Sequence, residues 1–161
     1  MDYLIEQGIK VDAIITDPPY AVTSYSWDQI IPFDQMWDKL SKLIKDDGAI
    51  VLFGNEPFSS SLRMSNPKFY RYDWKWIKTQ VTGFQNAKYQ PLRCYEDIMI
   101  FSKCGAVASA KPPMRYFPQG IIQVNLKVTT KPINYLGDKK SDEKVSYTQE
   151  EANFPRNVIQ F

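Results

Sequence analysis

Residues 11–20 read VDAIITDPPY. Val11–Thr16 is a nearly continuous run of apolar and β-branched side chains, the pattern of a strand buried in a parallel sheet. Asp17-Pro18-Pro19 ends it, because proline fixes φ and has no N–H to give to a ladder. Asp17, Pro18, Pro19 and Tyr20 therefore fall at the carboxyl end of a strand, where open α/β sheets hold their ligands.

Working outward, Phe33, Met36, Trp37, Leu40, Leu43 and Ile44 recur at helical spacing, with Asp47-Gly48 as the predicted stop. Ala49–Phe53 reads as a second buried strand ending at Gly54. Glu56–Ser65 reads as a helix with Pro57 tolerated in its first turn. Tyr72–Lys78 alternates aromatic and charged residues as a strand does, and Asp97–Ser102 is a further strand. This order predicts an α/β fold with a largely parallel sheet and right-handed crossovers. After Lys103 the pattern dissolves into KPPMRYFPQG and VTTKPINYLGDKKSDEK, which predicts loop-rich structure. The expected division is 1–103 as the α/β part and 104–161 as a loop-rich region. No Gly-x-Gly turn follows an early strand, so no nucleoside-binding glycine loop is visible.

The chain of 161 residues contains no histidine. Ser-His and Cys-His nucleophiles, imidazole acid–base catalysis and histidine-ligated metals are thereby excluded. Cys94 and Cys104 form no Cys-x-x-Cys pair and read as free thiols, at least one in the core. No apolar run approaches the roughly 20 residues that span a bilayer, and no leader pattern opens the chain, so a cytoplasmic protein is expected.

The net charge of +2 conceals an asymmetry: residues 1–62 balance to −6 and residues 63–93 to +6. The basic middle is interleaved with Tyr70, Tyr72, Trp74, Trp76, Phe84 and Tyr89. That suits a polyanion with stackable bases, but a solvated, twisted strand with lysines on its outer face is the commoner source of such a block, and charge alone favours it.

The Asp-Pro-Pro-Tyr motif has a specific chemical logic. A base amine is a poor nucleophile because its lone pair is delocalised into the ring. Two acceptors aimed at its hydrogens, the Asp17 carboxylate and the Pro18 carbonyl, would localise that pair and stabilise the positive charge that develops on nitrogen. Consecutive prolines hold the acceptors rigidly, and Tyr20 offers a flat face to a base flipped from its stack. Phe53 and Gly54 either border a pocket or simply end a strand. Phe84 either closes over a base or anchors its loop. Lys88 and Arg93 either meet phosphate or face water. Glu96 and Asp97 are neighbours on a strand, point to opposite faces and read as structural.

On these residues the chain resembles the amino-methyltransferases that act on DNA, of the phage and restriction-modification type with the catalytic motif first. VDAIITDPPY looks like their catalytic strand and motif, and DGAIVLFG like the next strand. WKWIKTQVTGFQNAKYQPLRCYEDIMIFSK is similar to the block that holds the flipped base, and FPRNVIQF to the lead-in of the cofactor half. The resemblance implies part of a Rossmann-like methyltransferase sheet over 1–103, with 104–161 as a loop-rich DNA target-recognition region leading to the cofactor half, and S-adenosylmethionine as cofactor. Catalysis then falls to Asp17, Pro18, Pro19 and Tyr20, cofactor contacts to Asp17, Phe53 and Gly54, and DNA contacts to Phe84, Lys88 and Arg93. Aspartate in the first motif position implies DNA adenine as target; asparagine there is more typical of RNA or protein methylation, and serine of cytosine. Double-stranded DNA is the implied partner. The family's glycine-rich cofactor motif follows the DNA-recognition region and lies outside these residues, which implies either a fragment of such an enzyme or a second chain that supplies the cofactor half. The alternatives are a non-catalytic DNA-binding or subunit-interaction module, or an RNA or protein methyltransferase.

Overall fold

The β-branched run Val11–Thr16 forms strand β1, and it lies parallel to β2, Ile44–Gly54, with Thr16 level with Leu52. This structure, a computed structural model, describes residues 1–130 and 145–160. The stretch 131–144, expected to be loop-rich, lies outside the described residues. A short helix α1, Asp2–Glu6, precedes β1. Helix α2, Phe33–Leu43, connects β1 to β2 and buries Trp37, Leu40 and Leu43 along the predicted stripe.

Two boundaries moved. The helix stops at Leu43, four residues before Asp47-Gly48, and Ile44 already has the extended backbone of β2. Gly48 instead lies within the strand: a Cβ there would come within 2.7 Å of the Asp12 carbonyl oxygen. The register slips at this place, Val11 pairing with Ile44 but Ala13 with Ala49. The glycine thus marks a bulge where two backbones meet, a role glycine also takes inside strands.

Helix α3, Phe58–Ser65, leads to the long strand β3, Tyr70–Thr82, and a turn through Gly83 leads to β4, Arg93–Phe101. Gly83 has φ of 93°, a conformation that only glycine adopts without strain. Strand β7, Val158–Gln160, completes a five-stranded sheet in the order β1-β2-β4-β3-β7. Four strands run in one direction, so the sheet is largely parallel in that sense. Strand β4 opposes them and pairs antiparallel with both β2 and β3; only β1–β2 and β3–β7 are parallel pairs.

The sheet has two unlike faces. On one, α2 and α3 bring Trp37, Leu40, Phe58 and Leu62 onto Ile44, Ile50, Leu52, Met99 and Phe101. Trp37 packs its ring 4.8 Å from that of Phe101 and donates its indole N–H to Ser65 Oγ at 2.8 Å. On the other, Ile98, Ile100 and Met114 are buried among the half-buried Val51, Phe53, Tyr72, Trp74 and Trp76. Cys104 packs here, partly buried, and Cys94 is also only partly buried, so neither thiol is fully enclosed. Arg71, counted in the basic middle, instead donates to the carbonyls of Ser102 at 2.7 Å and Cys104 at 2.6 Å, pinning the chain as it leaves β4.

This first unit comprises 1–116 and 157–161, and 117–156 forms a second. Within the second, Ile122–Thr130 (β5) and Val145–Ala152 (β6) pair antiparallel. Strand was not expected in this loop-rich prediction. The signal was the alternation Ile122, Val124, Leu126, Val128, masked by the polar residues between and the prolines around it.

Core and edge give a contrasting pair of expectations. Phe101, fully buried, should cost about 3–5 kcal/mol on replacement by alanine. Ile15, 68% exposed on β1, should change stability by less than about 0.5 kcal/mol. Urea unfolding of Phe101→Ala and Ile15→Ala reads both; equal losses would mean that β1 is covered in solution.

Candidate active site

Because β1 and β2 run parallel and in register, Asp17 leaves the sheet level with Phe53, and Pro18–Tyr20 lie beside Gly54 and α3. Pro18 is buried, Pro19 and Tyr20 half-buried, and Asp17 exposed. The Tyr20 ring stacks on Phe58, centroids 5.0 Å apart, and its hydroxyl donates to Asp17 Oδ1. Burial, and then the adjoining Asp17 carboxylate, push the phenol well above its ordinary value, so it stays a proton donor. One carboxylate oxygen is thereby engaged, which orients the other.

Gly54 ends β2 and is closely packed on the α3 side. A Cβ on it would lie 2.6 Å from Met99 Cε and 2.8 Å from Ser59 Oγ. The space a side chain would need is filled by this chain's own atoms, so the glycine serves the close packing of α3 on β2. Phe53 faces the opposite side, half-buried, with its ring edge-on to Trp76 at 6.3 Å. Beyond the end of β2, Asn55 and Glu56 line a cavity of about 170 Å³ with Leu92, Arg93, Cys94 and Tyr95. The sequence singled out Arg93 without Asn55 or Tyr95, whose residue types carry no motif of their own.

Behind the strand ends lies a charge network that sequence reasoning saw only in pieces. Asp97 is 1% exposed. It accepts from Lys75 and from Arg63, the latter at 3.0 Å, while Arg63 also reaches Glu56 and Asp73 at 3.0 Å each. Ser59 Oγ is buried beside Asp97 without a full hydrogen bond to any group. Burial alone would raise the Asp97 pKa, but the bond from Lys75 and the neighbouring cations hold it below its ordinary value. Glu96 pairs with Lys78. The expectation that both carboxylates are structural agrees with these contacts.

Of the seven cations in 63–93, Arg63, Arg71, Lys75 and Lys78 are engaged within the fold. Lys68, Lys88 and Arg93 are exposed. Phe84 opens a single 3₁₀ turn, Phe84–Asn86, and is 67% exposed rather than a buried anchor; Tyr89 follows it, also exposed. Phe84 and Lys88 thus belong to one exposed loop between β3 and β4, and Arg93 is the exposed first residue of β4, level with Thr82 at the end of β3.

A cofactor with a sulfonium centre has a partial fit. The strand ends offer the exposed Asp17 carboxylate and the half-buried Phe53 ring, an acceptor and an aromatic face suited to a cation. No room exists at Gly54 on the α3 side, and nothing among the described residues grips a nucleoside as a glycine-rich turn does. The residues present supply an acceptor and an aromatic ring, and the remainder of such a cofactor is not provided for among the described residues.

No family model matches the chain, and no curated protein matches it. Solved structures similar to it include M1.HpyAVI in complex with SAM and M1.HpyAVI. Both are 21% identical, with TM-scores of 0.47 and 0.48, and each match covers 63% of this chain and 50% of the other. The chain therefore spans about half the length of these proteins. Among the described residues no helix is long and apolar enough to cross a membrane.

The network carries a pH expectation. A carboxylate whose folded pKa lies below its unfolded value contributes stability that is present above the unfolded value, near 3.8, and is lost as pH falls through the folded one. Thermal midpoints should drop below about pH 4, and Asp97→Asn should flatten that drop. An unchanged acid limb in the variant would assign acid sensitivity to other groups.

Proposed function

We propose that this chain is the catalytic-motif part of an S-adenosylmethionine-dependent DNA methyltransferase that acts on the exocyclic amine of adenine. The observation that carries the reading is the arrangement at Asp17–Tyr20: a carboxylate oriented by a tyrosine hydroxyl, a rigid proline pair, and an aromatic ring seated on Phe58, all at a strand end.

In the reaction the target base leaves its stack and lies along Tyr20. Asp17 and the Pro18 carbonyl accept the two amine hydrogens and localise the nitrogen lone pair. S-adenosylmethionine supplies, when bound, a methyl group on a positively charged sulfur. The donated methyl would leave behind a neutral thioether as it bonds to the amine nitrogen, and Asp17 would take the surplus proton from that nitrogen and pass it to solvent. Phe53 would border the methyl-donor end. Phe84 and Lys88 of the β3–β4 loop and Arg93 at the start of β4 hold the DNA, the cations on phosphate and the ring on a base. Aspartate at the first motif position supports adenine over cytosine as target, and DNA over RNA or protein.

The nucleoside-gripping half in this reading lies outside these residues, and a second polypeptide is one source of it. Strand β1 is an edge of the sheet among the described residues, with Ile15 68% exposed. A strand with parallel pairing normally has both faces covered and its edge paired. The same open edge favours the second reading, a subunit-interaction module without chemistry of its own.

Two measurements separate these readings. Calorimetric titration with S-adenosylmethionine should show saturable binding only after a host fraction is added; binding to neither mixture would leave the non-catalytic module. In the reconstituted mixture Asp17→Ala should lower methyl transfer to DNA by at least about 100-fold, the scale for one preorganised polar group at the reacting centre. Undiminished transfer in that variant would sink the mechanism.

A further inference from the structure

The loop that follows Tyr20 has a construction the proposed reaction does not use. Its one carboxylate, Asp28, is buried. Oδ1 accepts from the Ala21 N–H at 2.8 Å, and Oδ2 from the N–H groups of Val22 at 2.8 Å and Thr23 at 2.6 Å. Oδ2 also accepts from the Thr23 hydroxyl at 2.8 Å. A buried charge is tolerable when it is satisfied in this way. The clamp also holds Ala21 at φ of 57°, a left-handed conformation that a non-glycine residue keeps only when its surroundings impose it. Inside the clamped turn Tyr25 and Trp27 stack on each other, centroids 5.8 Å apart and planes 12° from parallel, yet they are 65% and 69% exposed.

We infer that the loop 21–28 is a nucleobase-contact element, in which the Tyr25–Trp27 stack receives bases of the DNA beside the flipped target. The inference rests on the DNA reading of the Asp17–Tyr20 site. Two nearly parallel rings present a flat, rigid platform, and stacking on such a platform tolerates any base because every base has a π-face. With Asp28 turned inward and fully bonded, no free carboxylate in the loop repels phosphate. The loop starts at the residue after Tyr20, so a nucleic acid whose base lies on Tyr20 passes it. Holding the rings in place before binding lowers the ordering cost that a mobile loop would impose.

The test uses the whole chain and fluorescein-labelled DNA, either single-stranded or a duplex with one unpaired base, read by anisotropy. Tyr25→Ala with Trp27→Ala should weaken binding by about 10-fold or more. Tyr25→Phe should retain it, and Asp28→Ala, which frees the loop, should weaken it in the same direction. Tryptophan quenching on addition of unlabelled DNA should fall in Trp27→Phe. Binding by wild type that the double alanine variant leaves unchanged would overturn this inference alone. If that variant instead lost self-association or a protein contact, the rings would serve a protein partner and the inference would again fail. No binding of either DNA by wild type would remove the DNA reading together with it.

Discussion

The parallel alignment of β1 on β2 is the constraint on which the rest depends. Thr16 level with Leu52 places the end of one strand beside the end of the next. Pro18 is then buried while Asp17 is left in the open. The alignment is itself held by one face of side chains. Ile14 of β1 packs against the cluster that Ile50, Leu52, Met99 and Phe101 build across two strands, with α2 and α3 above. A slip of one residue in β1 would turn Ile14 outward and carry the motif to the wrong level. The position of Asp17 is thus a consequence of core packing several residues away.

The elements of this core were legible in the sequence because each has one dominant period. VDAIIT and AIVLF are continuous apolar runs, and the stripe from Phe33 to Leu43 repeats at helical spacing. Boundaries were less legible where one residue type serves two purposes. Gly48 reads locally as a helix stop, but its glycine is required by the Asp12 carbonyl of a strand 36 positions earlier, and no local pattern reports such a contact. The β5–β6 pair was hidden because neither strand has a buried residue among those described. Without a face to bury, the alternation that announces a strand is weak.

At the site the motif was legible and its support was not. Asp17 through Tyr20 stand out because their order has a chemical meaning. Phe58 under Tyr20, Ser59 and Met99 filling the space at Gly54, and the Arg63–Asp97–Lys75 network come from three separate elements, and each is an ordinary residue in its own segment. The basic middle shows the converse. Its cations look like one feature in composition, but four of them satisfy carboxylates and carbonyls of the fold. Charge counted along the chain therefore overstates charge available to a ligand. What remains exposed is Lys68, Lys88 of the β3–β4 loop and Arg93 at the start of β4.

The exposure of Asp17 bears on how the proposed chemistry could work. Two unit charges 4 Å apart interact by about 1 kcal/mol in water and about 4 kcal/mol at an effective dielectric constant of 20. A carboxylate in open solvent is accordingly a weak stabiliser of developing positive charge. The same carboxylate, covered by a base on Tyr20 and by whatever occupies the open edge of β1, acts in a dry, oriented setting. In the proposed reaction the fold supplies orientation in advance: Tyr20 engages one oxygen and the prolines fix the backbone. The dielectric is supplied by the ligands themselves. A site built in this way holds its acceptors ready, and the strength of those acceptors rises only when substrate and partner exclude the water around them.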